Sequence, residues 1–200
     1  MKPKIIFKKI KFCPLDIKKQ REVARSLLFK LTGKEGGRSQ TGRPIVDETI
    51  DVSISHKPDL VCVATIPSPY KIGVDIEHLH AQLNAKLFLG SVITVTELPF
   101  FTIFCKKNKF SLSAGVAVFW SIKEAFFKCL DYDLRPGQIS ILDISEKGKT
   151  IITYSERIDR LMKKRNLELD SLKMNFDDKY IYSQTIMLRA CPLSQFEIFC

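Results

Sequence analysis

Residues 50 to 77 restrict the fold more than any other segment, because they read as three successive strands, the first with a strict period of two that no helix can use. In the run Ile50-Asp-Val-Ser-Ile-Ser55 the apolar Ile50, Val52 and Ile54 share one face and Asp51, Ser53 and Ser55 the other, the pattern of a half-buried strand. Residues 59 to 66 read as a second strand. The turn Pro67-Ser-Pro69 leads to a third over residues 70 to 77, which predicts an antiparallel hairpin of the last two. Residues 116 to 130 have the helical period instead. Val118, Ile122, Ala125, Phe126 and Cys129 form an apolar stripe, and Trp120, Glu124 and Lys128, spaced by four, line the adjoining face.

The remaining segments continue the mixture. Residues 4 to 12 are strand-like, and residues 16 to 31 predict a basic helix with Ile17, Val23, Leu27 and Leu31 as its apolar positions. Residues 33 to 43, rich in glycine and arginine, read as a loop suited to approaching an anion. Two helices are expected between residues 78 and 115, one after Ala81 and one opening at Thr94 or Thr96. Residues 138 to 143 and 150 to 154 predict strands around the Lys147-Gly148 turn, followed by a helix over 155 to 164 and a strand over 179 to 188. The predicted class is α+β: two similar α/β halves in a pseudo-dimeric arrangement, residues 1–100 and 101–200, with the functional groups at their junction.

Two hundred residues at 45% hydrophobic content suffice for one substantial core. The net charge of +10 is concentrated early, since residues 1 to 43 hold thirteen Lys and Arg against three acids. Such a face attracts polyanions: nucleic acid, an acidic protein or a phosphate-rich cofactor; by charge alone a plainly solvated face is as good a reading. Six cysteines, at positions 13, 62, 105, 129, 191 and 200, show no Cys-x-x-Cys pair and no zinc spacing, so free thiols are expected. No apolar run resembles a signal peptide or a membrane span, and the expectation is a soluble, cytoplasmic protein.

The chemistry concentrates in two motifs. In Ile72-Gly-Val-Asp-Ile-Glu77, extended backbone points Asp75 and Glu77 the same way, and their repulsion is relieved by solvation or by a hard divalent cation. Glu124, with Lys128 one turn beyond it, adds a third acid and a base. Three carboxylates and an ammonium are the parts of a magnesium-assisted phosphoryl transfer, whereas in isolation Glu124 and Lys128 read as an ordinary ion pair. His78 and His80 flank the acidic strand and receive no role, because magnesium prefers oxygen.

In their order, Gly42-Arg-Pro44, Ser53-Ile-Ser-His56, Gly73-Val-Asp-Ile-Glu77 and Trp120-Ser-Ile-Lys-Glu-Ala-Phe-Phe-Lys128 resemble the 4'-phosphopantetheinyl transferase superfamily, in its larger surfactin-synthetase-activating form. The resemblance implies Mg2+-dependent transfer of the phosphopantetheine arm of coenzyme A to a serine of an apo acyl, peptidyl or aryl carrier protein, with release of 3',5'-ADP. It implies Asp75, Glu77 and Glu124 as metal ligands, Glu124 as general base, Lys128 on the pyrophosphate with Lys123 assisting it or orienting Glu124, and Arg43, Ser55 and His56 near the 3'-phosphate of the coenzyme. Trp120 matches the motif but is expected to pack between the halves. Ser53 stands where the family often has Asn, and Lys57 where it often has Ser; Lys30, Lys34 and Arg38 are the candidate basic contacts in the short N-terminal arm. The expected partners are an acidic carrier protein and coenzyme A, with no nucleic acid or membrane, and the expected state is a monomer. The alternatives are a non-catalytic phosphate or nucleic-acid binder and a protein that binds carrier without modifying it.

Overall fold

The computed structural model describes residues 2–9, 17–40, 42–80, 85–131 and 135–189. In chain order the elements are β1 (Lys4–Lys9), α1 (Ile17–Thr32), β2 (Gly37–Arg38), β3 (Pro44–Ile45), β4 (Ile50–Lys57), β5 (Leu60–Pro67) and β6 (Tyr70–His78). They continue with α2 (Ala85–Val92), α3 (Leu98–Asn108), α4 (Leu112–Leu130), β7 (Ile139–Ile144), β8 (Thr150–Tyr154), α5 (Glu156–Lys164), β9 (Leu167–Phe176) and β10 (Tyr180–Arg189). The class is α+β, as the two periodicities predict. Two three-stranded antiparallel sheets, ordered β1-β5-β4 and β6-β10-β9, each carry a helix, α1 against β4 and β5 and α4 against β6, β9 and β10.

The expected hairpin of β5 and β6 does not form. Both edges of β5 are taken, by β1 and by β4, and β6 instead pairs with β10 along its whole length, from Tyr70↔Leu188 to His78↔Tyr180. The strand carrying Asp75 and Glu77 therefore belongs to a sheet completed by residues 167 to 189, so this sheet draws its strands from both sides of residue 100. Strand β9, which the sequence reading passed over, completes that sheet.

The free edge of β6 meets side chains rather than a backbone ladder. Asp51 Oδ2 accepts from the amide of Ile72 at 2.8 Å, Ser53 Oγ from Val74 at 3.0 Å and Ser55 Oγ from Ile76 at 3.2 Å. This seam explains why the polar face of β4 is buried at Ser53 and Ser55, where alternation predicts a solvated face. A buried sheet edge must satisfy its amides, and these three acceptors do so.

Helix α4 begins at Ser111, whose hydroxyl accepts from the Ala114 amide, and is buried on most of its length. It lies so close to β6 that a Cβ on Gly73 would come within 1.9 Å of the Ala125 carbonyl oxygen. Glycine is required there by the approach of two backbones, and that approach brings Lys128 to Asp75. The N-terminal half of α4 packs through Phe119 on Phe101 and Phe104 of α3, its C-terminal half through Phe126 and Leu130 on Ile139, Ile158 and Met162.

In α1 the buried face is Gln20, Ala24, Leu27 and Leu28; Ile17, expected inside, is exposed at the first position of the helix. Residues 33 to 43 contain β2, which pairs with β3. Cys62, Cys105 and Cys129 are free thiols, and burial pushes the Cys62 thiol up to about 12. Cys13, Cys191 and Cys200 lie outside the described residues.

Candidate active site

Strands β4 and β6 and helix α4 converge on one recess of about 310 Å³, lined by Ser55, His56 and Lys57, by Asp75 and Glu77, and by Trp120, Glu124 and Lys128. It opens through Ile54, His56, Trp120, Glu124 and Lys128 into a cleft of about 880 Å³ whose further walls include Arg38, Gly42, Arg43, Phe127, Asp131 and Arg165. The two strongest motifs of the sequence, distant along the chain, thus face each other.

Asp75 is the centre of the recess. Its Oδ1 accepts from Lys128 Nζ at 2.7 Å and from Ser55 Oγ at 2.9 Å, while Oδ2 is buried with no hydrogen-bond partner. Glu77 accepts from Lys57 Nζ at 2.7 Å, and Glu124 Oε1 lies 3.9 Å from Lys128 Nζ. Burial raises the Glu77 carboxyl above its usual range, and the neighbouring Asp75 charge adds to the rise. Burial alone would lower the Lys128 ammonium; Asp75, then Glu124 and Glu77, more than offset it, so Lys128 is held above the ordinary lysine value. Among the described residues no three His, Cys, Asp or Glu side chains form a ready-made metal group, and two ammoniums, of Lys57 and Lys128, stand among the carboxylates.

The family model described as the 4'-phosphopantetheinyl transferase superfamily matches residues 71–181, more than half of the chain. The chain belongs to this superfamily. Its enzyme class is accordingly that of a phosphopantetheinyl transferase. Among solved structures it is similar to the holo-ACP-synthase from Plasmodium yoelii, with a TM-score of 0.48 and 19% identity over 60% of this chain and 95% of that one. The holo-[acyl-carrier-protein] synthase from Neisseria meningitidis is similar at a TM-score of 0.48 and 23% identity, over 58% and 96%. The ACPS-CoA complex named for Chronobacterium ammoniagenes gives 0.48 and 17%, over 62% and 100%. No curated protein matches.

The superfamily's motif residues do not all stand where the sequence reading expects them. Lys123 is not in the recess. It is fully buried on the α3 side of α4, where its ammonium donates to Glu97 Oε2 at 2.8 Å and to the Val92 carbonyl at 2.6 Å, so the expected catalytic assistance is corrected to a core ion pair. Burial pulls the Lys123 pKa down and Glu97 opposes that shift. Glu97 also accepts from the amides of Thr94, at 2.6 Å, and Ile141, at 2.7 Å, tying α3 and β7 to α4.

Arg43 and Ser55 are at the site but already engaged. The Arg43 guanidinium lines the cleft and donates to the Lys128 carbonyl, to Asp51 Oδ2 at 2.6 Å and to the Ile72 carbonyl at 3.2 Å, which bolts α4 to β4 and β6. From the other side Arg165 donates to the Leu130 carbonyl, and the two arginines together cap the last turn of α4, where cations suit the helix dipole. Ser55 lines the recess, donates to Asp75 and accepts from Ile76, and so orients that carboxylate. Of the basic N-terminal candidates, Arg38 lines the cleft and Lys34 is bound to Asp47. Trp120 is half-buried, packs against the core and lines both cavities. His78 pairs with Asp59 at 3.1 Å, away from the recess lining, and His80 contacts the Asp178 carbonyl.

His56 is exposed at the point where recess and cleft meet. Partial burial against the wall, followed by the charges of Lys128, Lys57, Arg21 and Arg38, depresses its pKa below 6.5. The unfolded chain therefore binds the proton more readily, so this residue removes stability as pH falls from the unfolded value through the folded one. Chemical unfolding at about pH 7.5 and about pH 5.5 should show His56→Gln losing less stability on acidification than wild type. Equal losses would contradict the lowered His56 pKa.

Proposed function

We propose that the chain transfers the 4'-phosphopantetheine arm of coenzyme A to a serine hydroxyl of an apo carrier protein, with Mg2+ and with release of 3',5'-ADP. The observation that carries this reading is the meeting of Asp75, Glu77, Glu124 and Lys128 in one recess that opens on a nucleotide-sized cleft. An all-oxygen donor set suits Mg2+, and the buried Oδ2 of Asp75 lacks a partner, which a cation would supply. Asp75, Glu77 and Glu124 would hold the ion, whose contribution when bound is to neutralise the charge of the diphosphate oxygens.

The protein's own groups account for the rest. Glu124, partly exposed on α4, takes the proton from the attacking serine hydroxyl, and the serine oxygen bonds to the phosphorus that bears pantetheine. The phosphorus–oxygen bond to 3',5'-ADP breaks, and Lys128 steadies the charge on the departing phosphate. Ser55 fixes the Asp75 carboxylate, His56 stands at the phosphate's entry, and Trp120 and Phe127 give the cleft an apolar wall that limits water. The exposed cations of α1, Lys18, Lys19, Arg21 and Arg25, favour an acidic carrier by electrostatic steering. Two sheets, each with its own helix, within one chain favour the larger form of the superfamily acting as a monomer, and a cytoplasmic location is part of the same proposal.

Incubation with Mg2+, coenzyme A and a panel of apo carrier proteins, followed by mass spectrometry, tests the reading. Gain of one phosphopantetheine arm on a carrier serine is expected. Salt-sensitive DNA binding without coenzyme turnover, or carrier binding without a mass gain, would replace it with one of the two non-catalytic readings.

A further inference from the structure

The face of β4 that stitches the two sheets continues beyond its hydrogen-bonded part. Residues 51, 53 and 55 each accept an amide from β6. The next side chain on that face is Lys57, which has only donors and cannot extend the pattern. Its ammonium turns to the Glu77 carboxylate, 2.7 Å away, in a pair whose side chains are 25% and 13% exposed. Lys57 thus occupies one oxygen of a carboxylate that shares its recess with Asp75, Glu124 and Lys128.

We infer that Lys57 is a tethered cation that competes with the divalent metal for Glu77 and sets how tightly this chain binds the ion before a nucleotide arrives. The inference rests on the proposed metal-dependent reading. An ammonium and a doubly charged ion a few ångströms apart repel strongly in a partly buried recess, so the metal engages Glu77 only when Lys57 leaves it. Displaced, the ammonium stays in the recess beside His56, where the cleft opens and an anionic substrate enters. Lys128 makes the corresponding contact with Asp75, but it sits on α4 between two carboxylates, whereas Lys57 can be neutralised without disturbing that helix.

The test titrates Mn2+ into the full chain without coenzyme A and follows the free ion by electron paramagnetic resonance. Lys57→Ser and Lys57→Met are both expected to tighten binding roughly fivefold, the worth of a half-screened ion pair that no longer has to be broken. Methionine keeps the length of the side chain and removes its charge, so tightening in the serine variant alone would indicate a new hydroxyl ligand and overturn the inference. Unchanged or weaker affinity in both would do so as well. Asp75→Asn, measured alongside, separates the two levels of the argument. If it abolishes Mn2+ binding while the Lys57 variants stay at the wild-type affinity, the competition fails and the metal seat stands. If it leaves Mn2+ binding intact, the ion is elsewhere and both fail.

Discussion

Asp75→Ala is expected to lower kcat for transfer by about a hundred- to a thousandfold, the scale for removing a principal charge-stabilising group from a reaction site. The change takes away the one carboxylate that Ser55 and Lys128 both hold, and with it the unpartnered oxygen that points to a cation. The fold should survive, because Lys128 keeps Glu124 nearby and is partly exposed to water, and Glu77 is relieved of a like charge. The check is turnover of an apo carrier together with the thermal unfolding midpoint. A folded variant that turns over within tenfold of wild type would remove Asp75 from the chemistry.

Glu97→Ala is expected to cost about 3 to 5 kcal/mol of stability, because it strands the ammonium of Lys123 in the core. The carboxylate is fully buried and accepts from three donors: the Lys123 ammonium, the Thr94 amide and the Ile141 amide. For a chain of this size the unfolding midpoint should drop by roughly 10 °C or more. Lys123→Met should cost less, since the two backbone amides still stabilise the Glu97 carboxylate. Calorimetry of both variants decides the matter: a Glu97→Ala protein as stable as wild type would show that the pair is not the tie between α3, α4 and β7.

What the sequence discloses and what it hides differ in range. Alternation over residues 50 to 55, the strand-like runs that follow it to residue 77 and the helical stripe beside Trp120, Glu124 and Lys128 are local signals, and the structure has strands and a helix there. The partner of β6 is not a local matter. A two-residue turn favours pairing with β5, but that strand has no free edge, and β10, about a hundred residues away, supplies the ladder. The same limit explains Lys123 and Arg43. Motif position brings both near the chemistry, yet a helix has more than one face, and Glu97, outside any motif, draws Lys123 to the opposite one. Arg43 is drawn in by the carbonyls that end α4 and by Asp51, a residue the alternation placed only on a polar face. Arg165, which caps the same helix, had no sequence signal beyond its charge. The alternation of β9 was visible in Leu167, Leu169, Leu172 and Met174, although the irregularity opposite Ile186 and Met187 interrupts its phase.

The junction of β4 with β6 also works as a proofreader of alignment. Backbone ladders are nearly indifferent to sequence, whereas this one is written in three particular side chains. A slip of β4 by one residue would present Val52 and Ile54 to amides that need acceptors, leaving them stranded in a dry interior at a cost of about 1 to 3 kcal/mol each. Misaligned assemblies of the two sheets are thereby penalised before catalysis is ever attempted, and Ser55, the last tooth of that comb, is also the residue that aims Asp75.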